Sequence, residues 1–142
     1  MTARYLATAI GLGFVWYAVL QLPSTTRSFM AGLGQVTAAL LLCLVSIVVA
    51  LALRRFIASS ENDRWLMVVG PYSGAVLFGL SAAITIWIRN GFRALNYVDL
   101  FVLLPFWSLL SAVWCSLVVL PMGYVALRAM RWASGEDHRP AD

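Results

Sequence analysis

The chain contains no lysine, and its one histidine, His138, lies near the C-terminal end. Charged residues make up 11% of the 142 positions, against about 25% in an ordinary soluble domain. No long apolar run carries a carboxylate at its centre. Each scarcity excludes something. Without a histidine in any run, no buried imidazole can serve as an axial haem ligand. No pair of embedded carboxylates can divide acid and base work or hold two metal ions. No mid-membrane acid is present of the kind that couples proton movement to transport. The two cysteines, Cys43 and Cys115, both fall deep in apolar sequence, with no CxxC partner and no histidine nearby. Two thiols alone do not make a zinc site, so they read as small buried residues. Nucleophile motifs, phosphate loops and dinucleotide fingerprints are missing as well. The expectation is a protein that is not an enzyme and uses neither cofactor nor metal.

What is abundant is apolar surface. Hydrophobic residues make up 62% of the chain. A single domain of this length cannot bury so much, so its solvent must be lipid. Four runs are long enough for the roughly 20 residues that a bilayer core demands. They predict helices over about 4–22, 29–57, 65–89 and 98–128. The domain would cover 1–132, and 133–142 would form a polar C-terminal tail. The first run exceeds the apolar core of a signal peptide and lacks a small-residue cleavage site, so it reads as a span. Ala58–Arg64 is the most polar internal stretch and the clearest loop. The fourth helix would be about 45 Å long, against a hydrocarbon core of about 30 Å. Pro105 and Pro121 are its expected points of adjustment.

All ten basic residues are arginine, and the net charge is +4. With both termini on one side, that side collects Arg4, Arg54, Arg55, Arg64, Arg128, Arg131 and Arg139. The other side holds Arg27, Arg89 and Arg93. The bias of seven to three predicts an up-down-up-down four-transmembrane-helix bundle with both termini in the cytoplasm. The setting would be a bacterial cytoplasmic (inner) membrane. Arg54, Arg55, Arg128 and Arg131 would meet lipid headgroups. The arginines form no patch for nucleic acid.

Small residues mark the packing faces. In the third run Gly70, Gly74, Ser81 and Thr85 share one helical face, and Ala75, Gly79 and Ala83 share another about 100° away. Small residues let helices approach closely in lipid. Gly70, Gly74 and Gly79 are therefore expected at helix contacts, with the third helix at the centre of the bundle. The other helices carry one seam each. Polar residues gather toward the side opposite the termini: Gln21, Gln35, Ser81, Thr85, Asp99, Ser108 and Ser111. They predict either a polar pocket or a set of hydrogen bonds between helices, with Gln21 and Gln35 bonding to each other inside the bundle. Asp99 suits the first turn of a helix, with Arg89 or Arg93 as a partner.

Seams on every helix and few reactive groups point to a structural or accessory subunit of a larger membrane complex. Its partners would be membrane lipids and other membrane subunits, or further copies of itself. The alternative is a homo-oligomeric channel or small-molecule transporter, with polar stripes lining its path.

Overall fold

A computed structural model describes residues 3–58, 63–93 and 96–135, apart from the side chains at 25 and 58. The described residues are helical and contain no strand. Most of the predicted loop 58–64 and the tail from 136 onward, with His138, lie outside them.

Ala3–Leu20 forms α1. It stops before Pro23, which supplies no backbone N–H and precedes a second helix, α2, over Ser24–Leu33. The Thr26 hydroxyl fastens this corner, donating to Leu20 O at 2.6 Å and to Pro23 O at 3.1 Å. Helix α2 is amphipathic, with Met30 and Leu33 buried and Ser24, Arg27 and Ser28 exposed.

The stretch expected as one helix over 29–57 is divided. Gly34 has φ +103° and ψ 129°, outside the helical region and tolerated by glycine alone, so the chain turns there. Helix α3 then runs over Gln35–Ala52, and a short α4 follows over Arg54–Ala58. Helix α5, Asp63–Arg89, is continuous through Pro71 and about 40 Å long.

The fourth run is divided more sharply. A π-helical turn, Asp99–Leu103, leads into α6, Leu104–Trp114, and then into α7, Ser116–Ser134. The axes of Asp99–Trp114 and Ser116–Ser134 differ by 89°. The bend falls at Cys115, between the two prolines expected to adjust the helix. Serines flank it. The Ser111 hydroxyl donates back to Trp107 O at 2.8 Å, and that of Ser116 to Val113 O at 2.5 Å. Such bonds to the helix's own carbonyls compete with the backbone ladder and bend helices. Pro121 adds to this by offering no N–H to the carbonyl of Leu117.

Helices α1, α3 and α5 are long and apolar enough to cross a membrane, and the bent pair makes a fourth span if it is counted as one. The exposed faces agree with lipid as solvent, since Phe14, Leu40, Leu44 and Val125 all point outward. The chain is an all-helical membrane protein.

Packing forms a ring in which α1 meets α3, α3 meets α5, α5 meets α7 and α7 returns to α1. Helix α6 lies outside the ring and packs chiefly along α5. Three glycines set the closest crossings. A Cβ at Gly13 would stand 2.6 Å from Cys43 Cα, one at Gly79 2.6 Å from Pro105 Cα, and one at Gly123 2.6 Å from Met67 O. These are backbone atoms, so only glycine permits the approach. The Gly123 crossing has a further logic. Pro71 leaves the Met67 carbonyl without its usual helical donor. The Cα–H of Gly123 that takes the place of a side chain points at that carbonyl, and such C–H···O contacts offer weak compensation.

Two core clusters separate the ends of the bundle. Tyr5, Ala9, Ala50, Ile57, Leu66, Leu127 and Met130 form one, and Met30, Leu33, Ala38, Leu42, Val45, Phe78 and Ala82 the other.

Candidate functional site

Between the clusters lies a cavity of about 370 Å³, lined by residues from every helix. Its volume falls within the range of about 300–1,000 Å³ usual for small-molecule sites. The wall is overwhelmingly aliphatic and includes no charged side chain among the described residues. At one end it is floored by Ile57, Leu66, Leu127 and Met130, all nearly inaccessible. Toward the other end the wall includes Trp16, Thr26, Phe29, Trp107, Ser108 and Ser111. Helices α1 and α6 both contribute to it, yet they are not among the closely packed pairs. The swing of α6 away from α7 opens this side.

The residues picked out by sequence fall in several places. Ser108 and Ser111 line the cavity. Gln21, Gln35, Ser81, Thr85 and Asp99 do not. Gln21 Nε2 does donate to Gln35 Oε1 at 2.8 Å, and the Tyr17 hydroxyl donates to the same oxygen. This cluster is exposed at an end of the bundle and does not face the interior, where the pair was expected. Nearby Arg89 donates to the Thr37 hydroxyl at 3.1 Å. The hydroxyls of Ser81 and Thr85 turn back onto their own helix, donating to Leu77 O and Ser81 O. Asp99 is exposed at the π-helical turn, and among the described residues it pairs with neither Arg89 nor Arg93.

The glycines of α5 divide in the same way. Gly79 sits in the contact with α6. Gly70 and Gly74 face the cavity, where an added Cβ would meet only the ends of Leu53 and Val45 at 4.0 and 3.9 Å. Of the arginines expected at headgroups, Arg131 is turned inward. It donates to the Asp63 carboxylate and to Ile57 O and is only 14% exposed, so it closes one end of the bundle. Arg128 reaches the Tyr124 hydroxyl at 3.2 Å. Arg54 and Arg55 are exposed. At the same end Arg4 lies 3.5 Å above the Trp132 ring, and the Tyr5 hydroxyl donates to Ala50 O at 2.5 Å.

Among the described residues no three His, Cys, Asp or Glu side chains gather as metal ligands would. Cys115 lines the cavity at the bend, and Cys43 is buried against Gly13. Most of the cavity wall was not singled out by sequence, because leucine, valine and alanine look alike whether they face a void, a helix or lipid. Comparison with known protein families, with curated proteins and with solved structures finds no match.

Proposed function

We propose that the protein is a non-catalytic structural or accessory subunit of a larger membrane protein complex. In this reading it crosses a bacterial cytoplasmic membrane four times, up-down-up-down, with both termini in the cytoplasm. The observation that carries the proposal is the position of α6 and the bend after it. This segment leans on α5 and leaves Phe106, Val113, Trp114 and Leu117 open, with Trp114 83% and Leu117 93% exposed. Tryptophan normally sits at the membrane surface, where its N–H finds water or headgroups. Trp114 lies instead two residues before Ser116, whose hydroxyl is 2.6 Å from that of Tyr72 within α5, away from both ends of the ring. A neighbouring subunit's helix against this corner would cover the indole and supply an acceptor for it, as aromatic residues do at protein interfaces.

The orientation draws support from contacts at one end. Arg4 against Trp132, and Arg131 against Asp63, bring three arginine-rich segments together, as the positive-inside rule requires of a cytoplasmic face. The channel alternative has less support, since an uncharged aliphatic wall gives an ion little to replace its hydration.

Purification from native membranes in mild detergent, followed by mass spectrometry, tests the proposal. A stoichiometric membrane partner is expected, and Trp114→Ala with Leu117→Ala should weaken its retention. A clean monomer or homo-oligomer would refute the subunit reading.

A further inference from the structure

The cavity has a direction. Its floor, around Leu66, Leu127 and Met130, is dry and aliphatic. Ser46 also contributes to the wall, but its hydroxyl is committed to Ala9 O at 2.8 Å. At the other end Ser108 lines the wall where α6 crosses α5, its Oγ 2.8 Å from where a Cβ at Gly79 would stand, and its hydroxyl has no hydrogen-bond partner among the described residues. The indole N–H groups of Trp16 and Trp107 are likewise unpaired within the described chain, and the Ser111 hydroxyl, which donates to Trp107 O, keeps its acceptor capacity. Unpaired polar groups in a membrane are costly, so a ligand that bonds them gains more than its contacts alone. The gap between α1 and α6 opens sideways, and the solvent on that side of a membrane protein is lipid.

We infer that this cavity binds one long-chain amphiphile that enters from the bilayer between α1 and α6. Its single alkyl or isoprenoid chain lies toward Leu66 and Met130. Its hydrogen-bonding head rests at Ser108, Ser111 and the two indoles. The wall holds no charge, so the head is recognised through hydroxyls and indoles, and an uncharged head is preferred over a cationic one. This inference does not rest on the subunit reading. An isolated chain that binds the amphiphile would retain it even if no partner were found.

The probe is a monoacylglycerol brominated on the chain carbons nearest its head, titrated into the full-length protein in detergent, with tryptophan fluorescence as the readout. Bromine beside Trp16 and Trp107 is expected to quench with saturation at one amphiphile per chain. Filling the cavity with Gly74→Leu and Ala112→Phe should weaken binding at least about tenfold, the equivalent of about two displaced methylenes. Gly11→Leu is the control, because a Cβ there meets nothing. It should bind as the parent does. Ser108→Ala, which keeps the chain pocket, should weaken the uncharged probe and leave the weaker binding of a brominated trimethylammonium amphiphile unchanged. Helicity measured on each variant separates lost binding from lost fold. A native mass spectrum of the parent, which needs no variant, should carry one adduct of amphiphile mass. Quenching that rises without saturation, equal binding by the folded filled variant, or a polypeptide partner crosslinked from Ala112→Cys inside the cavity would each overturn the inference.

Discussion

Replacing Gly123 with alanine tests how α5 and α7 are joined. The new methyl group would stand 2.6 Å from Met67 O and 2.9 Å from Pro71 Cγ, where ordinary contact begins at 3.4 Å. Neither neighbour is the free end of a flexible side chain, so the helices must part. Overpacking of this kind costs about 1–3 kcal/mol. The weak C–H···O contact to the Met67 carbonyl is strained too, at about 0.5–1 kcal/mol. Against this, alanine is a better helix former than glycine by about 1 kcal/mol. The net expectation is a loss of about 0.5–3 kcal/mol. Pro71→Ala restores an N–H to the Met67 carbonyl and removes the ring. In that background Gly123→Ala should cost about 1 kcal/mol less, a coupling well above the additivity of distant sites. Gly74→Ala is the reference, since its methyl meets only Val45 Cγ1 at 3.9 Å, and it should be neutral or mildly stabilising. Equilibrium unfolding in mixed micelles, followed by helicity, measures the four variants against the parent. If Gly123→Ala matches Gly74→Ala, or costs the same with and without Pro71, the account of this crossing is wrong.

Other substitutions probe the ends and the thiols. Arg131→Ala should destabilise by about 1–3 kcal/mol, because it strips a charged donor from Ile57 O as well as from Asp63. Asp63→Asn should cost no more than about 1 kcal/mol, as its carboxylate is half exposed; the reverse order in thermal unfolding would contradict this assignment. Gln21→Leu with Gln35→Leu removes an exposed cluster and should change unfolding free energy by only about 0.6 kcal/mol. A small membrane-permeant maleimide should label Cys115, on the cavity wall, well before Cys43; peptide mapping showing the opposite order would count against the cavity's openness.

Helical membrane character was readable because it depends on composition and run length, which survive any error in rotation. Helix breaks were less readable. Gly34 interrupts a run whose hydropathy continues on both sides, and only its φ of +103° marks the division. The bend at Cys115 has no proline of its own and arises from Ser111 and Ser116 acting with Pro121, a combination no single position announces. The candidate site was legible only at Ser108 and Ser111. Which of two small-residue faces on α5 meets a helix depends on how far that helix is turned about its axis. The turn is set by the glycine crossings with Pro105 and Gly123, which lie far along the chain. Thus Gly79 packs against α6, while Gly70 and Gly74 look into open space. Sequence alone points Arg131 at headgroups, because it shows the charge but not Asp63 opposite it.

The contact between α1 and α7 has a consequence for biogenesis. Of the helices described, α1 leaves the ribosome before the others, and one of its two neighbours in the ring is α7. Helices α1 and α3 can pair early, as a local hairpin. The core around Tyr5 and Ala9 still waits for Leu127 and Met130, which are synthesised much later. Until α7 is inserted, the flank of α1 is open to lipid and to membrane proteases. The ring closes only when α7 is inserted, and a truncation before α7 leaves the flank of α1 unsealed.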